Sequence, residues 1–167
     1  MNLSVTDRAQ AVATFRFIEV RLMETAALWT PTTPQLEVKV MLGRHIWDFA
    51  RHADALGKRT FELRQPEQHS VPPGPQYLAL LDQVRALEAV ADRLGAAYDA
   101  LLPDLARRYR EYVGATDTLL DEPTVLIIES ILDDIGRHRA QAAAVAKEIG
   151  IPFAAPAEIS RALDADA

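Results

Sequence analysis

The chain has 167 residues, of which 49% are hydrophobic and 25% are charged, and these fractions are typical of a soluble globular protein. Its formal net charge of -6 argues against a nucleic-acid-binding surface, because phosphate contacts need clustered Lys and Arg side chains. The chain has no cysteine, which excludes disulfides, iron–sulfur clusters and thiol catalysis. No apolar run approaches the ~20 residues that span a bilayer, and the N-terminus is polar, so we expect a cytoplasmic protein without a membrane segment.

Apolar residues recur at three- and four-residue spacing in four long segments, and this period predicts four helices. The predicted helices cover residues 5–29, 34–64, 76–113 and 121–149. The longest break, 65–76, holds four of the ten prolines and separates the second helix from the third. We therefore expect one all-α domain over residues 1–150, a four-helix bundle with a long crossover between helices 2 and 3, followed by a short C-terminal tail, 151–167.

Three residues are expected to mark helix ends. Thr33 is predicted to cap the second helix, because Pro34 follows it at the first helical position. Asp121 is predicted to cap the fourth helix. Gly150 is predicted to end that helix, since glycine readily adopts the left-handed conformation found there.

The core-facing stripes of three predicted helices carry titratable side chains. At 100° per residue, these stripes include the following polar residues: Glu19, His45, Asp48, His52, Asp134 and His138. An unpaired buried carboxylate or imidazole costs several kcal/mol, so such groups need partners. The available partners are each other, together with tyrosine hydroxyls. The sequence therefore predicts a buried polar cluster near the middle of the bundle.

An internal repeat relates the second and fourth predicted helices. The segment Asp48–His52 reads DFARH, and Asp134–His138 reads DIGRH, at an offset of 86 residues. The same offset pairs Glu19 of the first helix with Leu105 of the third. The chain thus resembles two related helical hairpins, whose D-x-x-R-H segments are expected to meet across the bundle.

Two segments, WDFARHAD (Trp47–Asp54) and ILDDIGRH (Ile131–His138), resemble the ferritin-like superfamily of bacterioferritins, rubrerythrins and related di-iron carboxylate proteins. The resemblance covers about residues 10–147. In that family these segments typically read D-E-x-x-H, and the Glu and His bind iron. The resemblance places the histidine ligands, their supporting aspartates and the first-helix carboxylate at these positions: His52 and His138, Asp48 and Asp134, and Glu19.

The match to the family's ligands is incomplete. Phe49 and Ile135 stand where the family has its bridging glutamates, and the third-helix carboxylate position falls near Leu105. The di-iron site is therefore degenerate, and we expect a metal-free protein without a cofactor, since two iron ions need more oxygen ligands than remain. If iron or manganese is present, the expected ligands are Glu19, His52 and His138.

The residues favour a small-molecule-binding protein or a non-redox acid–base enzyme. In this interpretation His52 and His138 handle protons, Asp48 and Asp134 orient them, and Glu19 faces the same cavity. The expected pocket accepts a small apolar or amphipathic ligand and is lined by His45, Phe49, Tyr98, Leu105 and Ile135.

Two alternatives remain open. One is a helical scaffold in which the Asp–His pairs only hold the helices in register, and the other is a non-haem iron or manganese oxidoreductase with a reduced ligand set. Neither nucleic acid nor a membrane is an expected partner. Trp47 falls on the outward side of its helix, which indicates a subunit contact and hence a homodimer.

Overall fold

A computed structural model describes residues 3–166, and this part of the chain is helical without any strand. The elements in chain order are α1 (Val5–Trp29), α2 (Leu36–Glu62), α3 (Pro75–Arg85), α4 (Val90–Leu94), a π-helical segment (Gly95–Leu101), α5 (Leu102–Ala115), α6 (Glu122–Ile149) and α7 (Ala157–Ala165). None of the described helices is both long and apolar enough to cross a membrane. The predicted all-α class is confirmed.

Helices α1, α2 and α6 begin and end within two residues of their predicted bounds. A capping box starts α1: the Asp7 amide donates to Ser4 Oγ at 3.1 Å, and the Ser4 amide donates to the Asp7 carboxylate at 3.1 Å. Gly150 ends α6 with φ of 69°, as predicted.

Of the other two predicted caps, the one at Thr33 is wrong and the one at Asp121 is correct in position. Gln35, not Thr33, is the N-cap residue of α2, and the Thr33 hydroxyl instead donates to the Trp29 carbonyl at 2.8 Å, closing the end of α1. Asp121 is the N-cap residue of α6, as predicted, but its carboxylate accepts no hydrogen bond from the helix backbone. Its buried carboxylate accepts hydrogen bonds from Arg59 and Tyr112, because this position lies where α2, α5 and α6 converge.

The prediction of a single third helix over 76–113 is wrong. The chain reverses after α3, so that α3 runs back along α4 and α5. At one end of this hairpin the Trp29 indole donates to the Arg85 carbonyl at 3.2 Å, and the Arg93 guanidinium lies 5.6 Å from the centre of the same ring. At the other end, Arg108 lies 4.3 Å from the ring centre of Tyr77. Residues 86–89 make the reversal without glycine or proline, so the sequence carries no turn signal there.

One hydrophobic core lies between α1, α2, α6 and the run from α4 to α5. Helix α1 packs along α2, α2 along α6, and α5 along α6. Phe15 of α1 and Tyr109 of α5 have ring centroids 4.5 Å apart and link these two helices through the core. Helices α3 and α7 form an outer layer, in which Ile159 and Leu163 of α7 are buried. Most of the predicted tail is therefore packed onto the domain.

The segment before α7 approaches the π-helical segment closely, and this approach yields a stability prediction. A Cβ at Gly95 would lie 1.9 Å from the Ala154 carbonyl oxygen, whereas one at Gly43 in α2 has nothing within 4 Å. We expect Gly95→Ala to lower the free energy of unfolding by about 1–3 kcal/mol through overpacking. The matched control, Gly43→Ala, should raise it by about 0.5–1 kcal/mol. Urea denaturation measures both values, and a Gly95→Ala protein as stable as the unaltered chain contradicts the prediction.

Candidate functional site

Two reciprocal Asp–His pairs join α2 to α6. The Nε2 atom of His52 lies 2.9 Å from the Asp134 carboxylate, and the Nε2 atom of His138 lies 2.8 Å from the Asp48 carboxylate. The two helices run in opposite directions and carry the same D-x-x-R-H pattern, so each histidine faces the aspartate of the other helix. The structure thus brings the four repeat residues together.

Two arginines that the sequence analysis did not single out complete the pairs. Nη2 of Arg51 lies 2.8 Å from the Asp48 carboxylate and 2.9 Å from that of Asp134. Arg137 likewise contacts both carboxylates, at 3.2 Å from Asp48 and in a short hydrogen bond with Asp134. Both arginine side chains are about half exposed, so they cover the buried pairs on the solvent side. Both arginines stand at the fourth position of the D-x-x-R-H pattern, and this recurrence could have identified them from the sequence.

Glu19 extends the cluster into the core. Its carboxylate is buried, lies 3.1 Å from Nδ1 of His52, and accepts a 2.6 Å hydrogen bond from the Tyr109 hydroxyl. The internal repeat pairs Glu19 with Leu105, and Tyr109 was not predicted as its partner. Leu105 is a buried core residue and provides no polar group. Nδ1 of His138 has no hydrogen-bond partner among the described residues. A carboxylate at position 105, the counterpart of Glu19 in the repeat, would face this atom.

His52 is held in its charged form. Both of its ring nitrogens face carboxylates, so both must donate. Burial alone lowers the pKa of His52, but attraction by and hydrogen bonding to Glu19 and Asp134 outweigh burial, and the pKa is raised above 6.5. We call the following residues the central cluster: Glu19, Asp48, Arg51, His52, Asp134, Arg137 and His138. Its three carboxylates are thus balanced by three cations.

The two aspartates of the central cluster are ionised. Burial by itself raises the pKa of Asp48, but hydrogen bonds from Arg51 and His138 outweigh it and hold that pKa well below its usual range. For Asp134, hydrogen bonds from His52 and Arg137 likewise overcome burial and lower the pKa. Burial lowers the pKa of His138 in spite of Asp48, so this imidazole is neutral and donates from Nε2.

His45 lies beside the central cluster but binds other partners. Nδ1 lies 2.6 Å from the Tyr98 hydroxyl, and Nε2 lies 2.8 Å from the Gln141 side-chain oxygen. Burial lowers the pKa of His45 to about 4, with the neighbouring His138 as a further cause. The neutral ring therefore donates to Gln141 and accepts from Tyr98, which the π-helical segment carries. Because both nitrogens are used, His45 is not available as a metal ligand.

The predicted pocket between the Asp–His pairs is filled. Phe49 and Ile135 are buried with exposures of 4% and 3%. The Phe49 ring packs edge-on against His138 and His52, at centroid distances of 5.4 and 6.3 Å. On the other side of Phe49, an apolar cavity of about 20 Å³ lies between α1, α2, α3 and the π-helical segment. That volume holds about one water molecule, so this cavity has no room for a larger ligand.

The residues present do not fit a di-iron centre. Phe49 and Ile135 provide no oxygen ligand where the resemblance requires one, and Leu105 adds none. The carboxylates of the central cluster are already neutralised by its own cations, which leaves no excess negative charge for two metal ions. Among residues 3–166, no three His, Asp or Glu side chains are placed to hold a metal ion.

A surface groove between α2 and α6 lies directly beside the central cluster. It has a volume of about 270 Å³ and is lined by Arg51, His52, Ala55, Leu126, Ile127, Ser130 and Ile131. A second recess of about 160 Å³ lies further along the same two helices and is lined by Glu37, Val40, Met41, Arg44, Gln141, Ala144 and Val145. The internal repeat relates the two recesses, since Val40 corresponds to Leu126. Neither recess was predicted from the sequence, although the internal repeat indicates that two equivalent surfaces lie between these helices.

Comparison with known proteins gave no match to a family model, to a curated protein or to a solved structure. The resemblance to the ferritin-like superfamily therefore depends on the two repeat segments and on the positions of their side chains. The function is inferred from the chemistry of the central cluster and the groove.

The pKa of His45 predicts how stability depends on pH. Between pH 6.5 and about 4 the unfolded chain binds a proton at His45 that the folded chain does not, so the free energy of unfolding falls as pH falls. Over that whole window the loss amounts to about 3 kcal/mol. His138 acts in the same direction, whereas the contribution of His52 is complete below pH 6.5 and is lost only as pH rises.

Urea denaturation between pH 7 and 4.5 measures this dependence. His45→Asn should flatten it, because the titrating group is removed. His69→Gln is the control for removing a histidine elsewhere, since His69 lies in the connection between α2 and α3, outside the central cluster. Equal slopes for His45→Asn and the unaltered chain contradict the assignment.

Proposed function

We propose that this chain is a metal-free protein of the ferritin-like kind that binds a small amphipathic molecule in the groove between α2 and α6. One observation carries the proposal: the groove opens beside His52, whereas the core position of the family's metal is occupied by Phe49, Ile135 and a charge-balanced cluster. Convergent polar groups next to apolar walls are the usual form of a small-molecule site.

The helix directions support a four-helix bundle with a long crossover. The contacts of Glu19 with Tyr109 of α5, and of Trp29 with Arg93 of α4, make α1 antiparallel to the run from α4 to α5. The reciprocal Asp–His pairs make α2 and α6 antiparallel as well. Helices α1, α2, α5 and α6 then run up, down, down and up, and α3 lies within the crossover between α2 and α4.

If the bound molecule reacts, His52 is the group that transfers a proton. It lines the groove, and both of its nitrogens carry protons, so it acts as an acid rather than as a base, and it does so by giving up its hydrogen bond to Asp134. His138 is fully buried and does not line the groove, which leaves it a positioning role for Asp48. This chemistry needs no redox cofactor.

A helical scaffold without catalysis is the second candidate. It is favoured by the saturation of the cluster, since both nitrogens of His52 and both oxygens of Glu19 are already hydrogen-bonded. A scaffold needs no ligand in the groove, so ligand binding separates the two candidates.

Elemental analysis of protein expressed with added iron and manganese tests the metal-free proposal. We expect less than about a tenth of an equivalent of either metal, because the charges of the central cluster are already balanced. Near one equivalent, lost in Glu19→Ala, would instead support an oxidoreductase with Glu19, His52 and His138 as ligands. Arg107→Ala is the control, since Arg107 lies outside the central cluster and pairs with Asp104 and Glu111 of its own helix, α5.

We also propose a homodimer that buries Trp47, whose side chain is 68% exposed on α2. Light scattering coupled to size-exclusion chromatography should give the mass of two chains, and Trp47→Ala should give the mass of one. Leu28→Ala, at another exposed apolar position on α1, is the matched control and should remain dimeric. A monomeric unaltered chain contradicts this proposal.

A further inference from the structure

We infer that the ligand of the groove is an amphipathic anion, whose carboxylate or phosphate head binds Arg51 and Ser130 and whose apolar body packs on Leu126 and Ile127. This inference rests on the proposed function, and it adds the chemical class of the ligand. It follows from which polar atoms at the groove are still available and from the asymmetry between the two recesses.

The free polar atoms of the groove are hydrogen-bond donors. Both carboxylate contacts of Arg51 use Nη2, so Nε and Nη1 of this half-exposed side chain remain for a ligand. The Ser130 hydroxyl is exposed on the facing helix and lines the same groove. The carboxylate of Asp134, in contrast, already accepts from His52, Arg51 and Arg137. A ligand head that accepts hydrogen bonds and carries negative charge therefore fits, whereas an ammonium head would find only the Ser130 hydroxyl as an acceptor and would be repelled by the Arg51 guanidinium.

The remaining wall of the groove is apolar. Leu126 is 58% exposed, and Ile127 and Ala55 are partly exposed beside it. A hydrocarbon body lying on this wall removes apolar surface from water, which is favourable by about 25 cal/mol per Å². The volume of about 270 Å³ lies just under the usual range for ligand sites, so the body is a short chain or a single ring.

The second recess also has an arginine, Arg44, beside apolar residues, since the repeat places it in an equivalent position. It differs in being smaller, about 160 Å³, and in carrying Glu37, whose negative charge offsets that of Arg44 and disfavours an anion. Val40 occupies there the place of Leu126 and is similarly exposed, at 48%. The two positions therefore offer a matched pair of substitutions, one in each recess.

Isothermal titration calorimetry with four probes tests the inference: sodium octanoate, octyl phosphate, 1-octanol and octylammonium chloride. We expect octanoate and octyl phosphate to bind with one site per chain, and octanol and octylammonium to bind at least tenfold more weakly. The stronger of the two anions identifies the head group that Arg51 prefers. Leu126→Asp should abolish anion binding, while Val40→Asp should leave it within twofold.

The arginine is tested by Arg51→Gln, which should weaken octanoate binding at least tenfold, and by Arg51→Lys, which should restore part of it. Leu126→Asp keeps the test decisive if Arg51→Gln fails to fold, because Leu126 is a surface residue. Equal affinities for octanoate and octanol overturn the anionic class and leave groove binding intact. Failure of all four probes to bind overturns both this inference and the proposed function. If Val40→Asp abolishes binding and Leu126→Asp does not, the ligand lies in the second recess, and this result also overturns the inference.

Discussion

The crossing of two Asp–His pairs between α2 and α6 is the constraint on which the rest of the structure depends. Burying charged groups is costly, and it is tolerated here because each histidine reaches the aspartate of the facing helix and each aspartate also meets an arginine. A shift of one helix along the other would leave carboxylates buried without partners. We therefore interpret the central cluster as the device that fixes the register of α2 and α6, and with it the shape of the groove between them.

The same Asp–His pairs divide the helical domain into a packed interior and a surface that can meet other molecules. Phe49 and Ile135 fill the space between the pairs, so the interior is a packed core in which the histidines have fixed protonation states. In the proposed function, an outside molecule meets the cluster on the side that Arg51 and Arg137 cover, because these half-exposed side chains reach solvent there. The proposed ligand site therefore lies on the surface of the helical domain and not in its centre.

Much of this arrangement was predictable, because it follows from helical period and from an internal repeat. The period located α1, α2 and α6, and the repeat indicated that the Asp48 and Asp134 segments face each other. The reversal at residues 86–89 was not predictable, since tertiary contacts of Arg93 and Trp29 make it and no glycine or proline marks it. The Tyr109–Glu19 bond and the groove depend on how helices pack, and a single helical period does not determine packing.

The most direct test is the titration of His45, His52 and His138, followed by ring ¹⁵N and ¹H chemical shifts in NMR. We expect His52 to titrate with a pKa above 6.5, the ordinary value for histidine, and His138 and His45 to titrate below it. We also expect both ring nitrogens of His52 to carry protons at pH 6.5. A neutral His52 at that pH would contradict the account, because Glu19 would then be a buried carboxylate without a compensating cation.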